Sequence, residues 1–278
     1  MAQETSEATI SGLCRREGIS RQAYYQACKR YKKRNADGKQ VLEWVHEQRR
    51  KHPRMGGRKL YHRLKSKMVE AGIKMGRDRL FELLRRKGLL VRPRRSQKPH
   101  TTKGAFTRWT NKLAGRNVNR PNQAWVADIT YLRTRDGFCY LALISDKYSR
   151  KILGWDVAES LELEGALRAL KQALDQVEGG NTPIHHSDRG SQYRSHKYIQ
   201  TLQDHKLTVS MTEENHCAEN AQAERLNGIL KNEYLLDQTF LSARQARQAS
   251  RHAIELYNGD RPHLSLNYNA PDQVHRAA

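Results

Sequence analysis

Cysteine is scarce in this sequence and never paired. Cys14, Cys28, Cys139 and Cys217 are scattered over 278 residues, whereas a zinc site needs Cys or His in close pairs. The spacing excludes a zinc module and leaves free thiols in a reduced setting as the default. Long apolar runs are missing too. None reaches the roughly 18–20 residues that span a bilayer, and no signal-peptide pattern opens the chain. The expected setting is therefore the cytoplasm, with no membrane partner. Acidic residues are sparse in the first part of the chain. Residues 1–121 hold 33 Lys and Arg against 9 Asp and Glu, whereas residues 122–278 hold 18 against 20. The net charge of +22 thus belongs to the N-terminal part alone. It points to a polyanionic partner such as double-stranded DNA, bound by one half of the chain and not by the other.

The length allows two or three domains and a substantial core. Residues 1–36 read as a short helical leader, with two small helices around Glu17-Gly18-Ile19-Ser20, Ser20 as an N-cap and Ala23, Tyr24 and Ala27 on one face. A partial helix-turn-helix and a frayed terminus both fit this stretch. Residues 38–91 carry three helical patterns: Lys39–His52, stopped at Pro53; Arg58–Ala71, ended by Gly72; and Arg77–Lys87, ended by Gly88. Small helices with basic outer faces suit a helix-turn-helix-like DNA-binding region seated on phosphates, with Arg58 and Lys59 as candidate contacts; a solvated helical bundle is the plain alternative. Residues 92–121 lack hydrophobic period and read as a basic linker. Arg94 and Arg95 there either follow a DNA backbone or belong to a simple tether.

The character changes at Gln123. Trp125–Leu132, Cys139–Asp146 and Ile152–Ala158 read as strands, with Asp136-Gly137 a hairpin signal between the first two. A helix follows over Leu161–Val177, a strand at Pro183–His186, a helix at Ser195–His205 and a strand at Leu207–Met211. Helices over Asn220–Leu236 and Ala243–Tyr257 close the pattern. This order predicts an α/β fold over residues 122–275, a mixed sheet with flanking helices. Three acids stand at chosen places in it: Asp128 inside the first strand, Asp188 just after the fourth, and Glu224 within a helix, with 35 residues between the last two. Carboxylates brought together from separate elements suit a hard divalent cation such as Mg²⁺, and an acid on an apolar strand needs a partner. On the helix, Glu224, Asn227 and Lys231 fall at i, i+3 and i+7, on one face. His185 reads as structural.

Five motifs in order carry a resemblance: Asp-Ile-Thr-Tyr at 128–131, Asp-Lys-Tyr-Ser-Arg at 146–150, His-Ser-Asp-Arg-Gly-Ser-Gln-Tyr at 186–193, Asn-Ala-Gln-Ala-Glu at 220–224, and Tyr-Asn-Gly-Asp-Arg-Pro-His at 257–263. Over roughly residues 38–275 the chain resembles the second-frame transposases of the insertion-sequence-three family, whose core is similar to retroviral integrases. The resemblance implies a ribonuclease-H-like core and a DNA transposase that cuts and joins strands at element ends. It implies Asp128, Asp188 and Glu224 as catalytic acids and metal ligands for Mg²⁺ or Mn²⁺, with two ions expected. Lys231, Asn227 and His186 are the candidate DNA contacts beside them. The implied partners are element-end and target DNA, further copies of the chain, and the upstream first-frame product of the same element, in the nucleoid of a bacterial cytoplasm. A metal-dependent nuclease without strand transfer and a non-catalytic DNA-binding regulator are the alternatives.

Two details sharpen the expectation. The family pattern has Asp-Asn-Ala, two residues, then the catalytic Glu, and here Glu219 stands where that Asp belongs. Glu219 and Glu224 are five residues apart, about 140° around a helix, so both cannot face one site. Glu219 suits the helix start, where the dipole favours an acid; Glu224 suits the site. In the terminal motif, Asn258, Arg261 and His263 either contact phosphate or lock the last turn to the core, and the second role is the expected one.

Overall fold

The computed structural model describes residues 9–91, 109–177, 182–213 and 220–277. These fall into two compact units. One comprises residues up to Arg50 together with Gly56–Leu90; the other comprises Lys51–Met55 and the chain from Val91 onward.

The first unit is helical: α1 (Ile10–Arg16), α2 (Arg21–Lys51), α3 (Gly57–Glu70) and α4 (Arg77–Arg86). Thr9 caps α1, its hydroxyl accepting from the Gly12 amide, and the Ser20 hydroxyl accepts from the Ala23 amide at the head of α2. Ala23 and Ala27 are nonetheless exposed, so the small apolar face expected there is not buried. No break occurs near residues 36–38. Gly38 is buried within α2, 3.7 Å from the Leu83 side chain when given a Cβ. A glycine that reads as punctuation in the sequence is here a close-packing position. Val41, Val45, Leu60, Leu64, Met68, Leu80 and Leu84 are buried. The Phe81 ring packs on the first residue of α3, where a Cβ on Gly57 would lie 2.8 Å from it.

The second unit is a three-layer α/β structure. Strands β1 (Ala124–Thr134), β2 (Gly137–Asp146), β3 (Ile152–Ala158), β4 (Ile184–Ser187) and β5 (Thr208–Met211) form a sheet in the order β3-β2-β1-β4-β5. β1, β2 and β3 are antiparallel neighbours, whereas β1–β4 and β4–β5 are parallel. The β1–β2 hairpin pairs Thr134 with Gly137, so Arg135 and Asp136 form its two-residue loop, and Gly137 takes the positive φ of 133°. Helices α5 (Leu163–Leu174), α6 (Ser191–Arg194) and α7 (His196–Asp204) lie on one side, where Trp125, Ala127, Ile144 and Leu153 meet Ala169, Leu170, Tyr198 and Leu202. The other side is covered by α8 (Ala221–Glu233) and α9 (Ala243–Gly259), with Leu132, Leu141 and Val157 against Leu226, Leu230, Ala253 and Ile254. A short 3₁₀ turn (Leu264–Leu266) and α10 (Pro271–Arg276) finish the chain.

α5 sits directly on β3: a Cβ on Gly154 would lie 1.9 Å from the Ala169 carbonyl oxygen. The terminal motif locks the core as expected. Asn258 exchanges hydrogen bonds with the amide and carbonyl of Ile152. Arg261 donates two bonds, of 3.0 and 2.8 Å, to one Glu233 oxygen and lies over the Tyr257 ring.

β1 has eleven residues, and β2 runs along one of its edges from Trp125 to Thr134. On the opposite edge β4 pairs only with Ala124–Val126, and a two-residue strand β6 (Thr239–Phe240) pairs only with Arg133 and Thr134. Residues 127–132 between them have no strand partner on that edge among the described residues. β6 is absent from the sequence expectation, because two residues are too few to show a period.

Candidate active site

β1 and β4 part after Val126 and His186, and the acids stand in the opening. Asp128 lies two residues beyond the last paired position of β1, and Asp188 follows the last residue of β4. This is the carboxyl end of a parallel pair, where open α/β sheets have their crevice. Helix α8 fills the opening on the bare edge of β1. Asn220, at its N-cap, donates from Nδ2 to the Ala127 carbonyl at 3.2 Å, and Asn227, about two turns further along on the same face, donates from Nδ2 to Asp128 Oδ2 at 2.6 Å.

The acids crowd one another. Burial and the negative charge of Asp188 push the Asp128 carboxyl up to about 7; its own backbone surroundings at Ile129 and the Asn227 amide oppose that rise, and Glu224 adds to it. Asp188 is fixed by the Gly190 amide, which donates to its Oδ1 at 2.9 Å. Glu224 is on the exposed side of α8. Tyr193, buried beneath the acids, has its phenol pushed upward, first by burial and also by Tyr198, Asp128 and Asp188. Lys231 is half-buried. Burial lowers its ammonium, the Asp128 charge opposes that change, and Arg133 adds to it.

Among the described residues, no three Asp, Glu, His or Cys side chains stand close enough to enclose a metal ion unaided. The donor chemistry still fits a hard cation. The acids offer only oxygen, no thiolate or imidazole ligand is needed, and Asp128 is displaced upward first by burial and then by the negative charge of Asp188.

Several expected DNA contacts take other places. Asn227 is buried and serves Asp128, so it has no face to offer DNA. His186 has 0% exposure and pairs through Nδ1 with the Ser210 hydroxyl inside the β4–β5 layer, which likewise removes it from the DNA surface. A fully paired parallel strand is buried on both faces, and this turns a polar Ile-His-His-Ser run into core. Its other histidine, His185, is structural as read: it pairs with the Tyr198 hydroxyl at 3.0 Å, and burial lowers it to about 3, so it stays neutral. Of the pair at the head of α3, Arg58 is exposed and Lys59 is buried. Arg94, Arg95 and Glu219 lie outside the described residues.

The sequence reading passed over two side chains. Gln222 joins α8 to the turn between β2 and β3, and Arg150 in that turn meets it. The Asp-Lys-Tyr-Ser-Arg motif was the available signal, since Arg150 is its last residue.

Integrase core domain families match residues 118–217 and 205–271. The chain is 34% identical to the insertion element IS600 uncharacterized 31 kDa protein of Shigella sonnei, over 93% of this chain and 96% of that one. It is 29% identical to transposase InsF for insertion sequence IS3A of Escherichia coli (strain K12), over 96% and 94%. Among solved structures, the simian T-cell lymphotropic virus intasome, in complex with a PP2A regulatory subunit, shares the fold with a TM-score of 0.50 at 15% identity. That match covers 81% of this chain and 72% of the other.

Proposed function

Because the chain belongs to the insertion-sequence-three family of transposases, we propose that Asp128, Asp188 and Glu224 are its catalytic acids. The activity is that of a DNA transposase, a polynucleotidyl transferase with an integrase-type core. The observation that carries the assignment is the crowding of carboxylates in the β1/β4 opening, with Asp128 raised to about 7 by burial and by Asp188.

The family generally works with divalent metal ions, and we take the three acids to hold two Mg²⁺ or Mn²⁺ ions. Such ions, when bound, polarise phosphodiester oxygens and make water a better nucleophile at neutral pH. The protein's own residues do the rest. Asn227 orients the Asp128 carboxylate through a 2.6 Å bond, and the Gly190 amide orients that of Asp188. Glu224 turns inward from the exposed side of α8 to complete the donor set. Lys231, on the same helix face, brings a positive charge beside Asp128 that suits a DNA phosphate. Cleavage at an element end leaves a 3′ hydroxyl. That oxygen then forms a new bond to a target phosphorus as the target strand's own P–O bond breaks.

The basic N-terminal part, residues 1–121, is proposed to hold the DNA through its phosphates, with residues 38–91 as the helix-turn-helix-like region and Arg58 as one exposed contact. Assembly of several copies on the DNA, cooperation with the upstream first-frame product and a place at the nucleoid belong to the same proposal. No helix among the described residues is long and apolar enough to cross a membrane.

The test uses the full chain and DNA carrying the element ends. Cleavage and joining should require Mg²⁺ or Mn²⁺ and stop in EDTA. Glu224→Gln should abolish both while a gel-shift assay still shows DNA binding, and Glu219→Gln should retain substantial activity. The reverse ranking of the two glutamates would overturn the assignment.

A further inference from the structure

Gln222 lies two residues before Glu224, about 200° around the helix and therefore on its back. Its two polar atoms are both engaged by the turn between β2 and β3. Asn220 and Asn227 only donate, whereas Gln222 both gives and receives: Nε2 donates to the Asp146 carbonyl at 3.2 Å, and Oε1 accepts from the Arg150 guanidinium.

That turn is itself held rigid. The Asp146 carboxylate, 0% exposed, accepts from the Asn122 amide at 2.8 Å and from the Ser149 amide and hydroxyl at 2.6 and 2.7 Å. Arg150 holds a left-handed backbone with φ of 66°, a conformation that disfavours a non-glycine residue. Its carbonyl is fixed by the Tyr257 hydroxyl at 3.1 Å. Burial lowers the Arg150 guanidinium, while Tyr257 and Asp146 oppose that change.

We propose that Gln222 is a positioning residue. Held by the Arg150 turn from behind, it sets the rotation and depth at which α8 presents Glu224 and Asn227 to Asp128. This rests on the reading of Asp128, Asp188 and Glu224 as the metal-binding acids. The need for such a device follows from Glu224 itself, which is exposed and stands in a helix whose first residues meet β1 through the Asn220 amide and the Ala127 carbonyl. A rotation of α8 by one residue is about 100° and would carry Glu224 away from the acids. A bond from the back of the helix to a rigid turn opposes that rotation.

The experiment measures Mn²⁺ binding to the full chain by electron paramagnetic resonance, alongside thermal unfolding without metal and cleavage as a function of metal concentration. For Gln222→Ala, Mn²⁺ binding should weaken by about 10-fold, the lower end of the effect of removing a partner that orients metal ligands. The half-maximal metal concentration for cleavage should rise in step, with metal-free DNA binding unchanged. Gln222→Glu, whose carboxylate still accepts from Arg150, should recover part of the loss. The Arg150→Ala, Gln222→Ala double variant should be no worse than the more damaged single variant. A Gln222→Ala protein that melts earlier yet binds Mn²⁺ like the wild type would overturn the inference, and so would additive effects in the double variant. Should wild-type protein bind no Mn²⁺ at all, the acid assignment fails instead.

Discussion

Asp128→Asn should make the metal-free protein more stable at pH 8. In the folded chain the Asp128 carboxyl is raised to about 7, against about 4 in an unfolded chain. Between those values the folded state holds a proton that the unfolded state has lost. Stability therefore falls as pH rises from about 4 to about 7, and above 7 the full cost is present. Three pH units at about 1.4 kcal/mol each give a ceiling of about 4 kcal/mol. Water reaching the half-buried carboxylate reduces this, and about 1–3 kcal/mol is expected. The substitution is nearly isosteric, and a side-chain carbonyl can still accept from Asn227, so little is lost in exchange. The assay is urea unfolding followed by tryptophan fluorescence, with buried Trp125 on the same strand as a reporter. At pH 8 in EDTA the variant should be the more stable protein, and at pH 5 the gap should shrink. Adding Mg²⁺ should stabilise the wild type and leave the variant unmoved, since a ligand that binds only the folded state raises its stability. A variant less stable than wild type at pH 8 in EDTA, or a gap that ignores pH, would refute the reasoning.

Two further predictions concern the frame around the acids. Arg261→Ala removes the guanidinium paired with Glu233, the two being only 5% and 10% exposed, and should cost about 3 kcal/mol in urea unfolding because a buried carboxylate loses its opposite charge; Arg261→Lys should recover only part, having lost the guanidinium fork. Gly154→Ala drives a methyl toward the Ala169 carbonyl and should cost about 1–3 kcal/mol as α5 is forced off the sheet; unchanged stability would mean that α5 does not rest directly on β3.

The strands and the place of each acid in the fold were legible because each leaves a local mark. β1 to β3 show apolar runs bounded by turn residues, and the ordered motifs single out the acids proposed as catalytic. The direction in which a polar side chain points leaves no such mark. Asn227 and Lys231 fall on the same helical stripe as Glu224, yet Asn227 is buried against Asp128 and Lys231 is only half covered, because the depth at which α8 sinks into the β1 opening depends on β4 and β6, far away in sequence. The burial of His186 and Lys59 was hidden for the same reason. A histidine in a short polar run and a lysine at a helix head look solvent-facing until their neighbours are known. The continuity of α2 through Gly38 was hidden because glycine marks both turns and tight helix contacts.

The bare edge of β1 also has a consequence in time. Ala127 waits for Asn220, which lies 93 residues further along the chain. A ribosome adding about 5–20 residues per second needs roughly 5–20 seconds to bridge that interval. Throughout it the strand that carries Asp128 can be paired on its β2 side, while its other margin offers unpaired backbone groups to any passing strand. The helix that brings Glu224 is the same one that closes this margin. A nascent chain therefore gains Glu224 at the moment it loses its stickiest edge, and a chain truncated before α8 has neither that protection nor the third of the proposed acids.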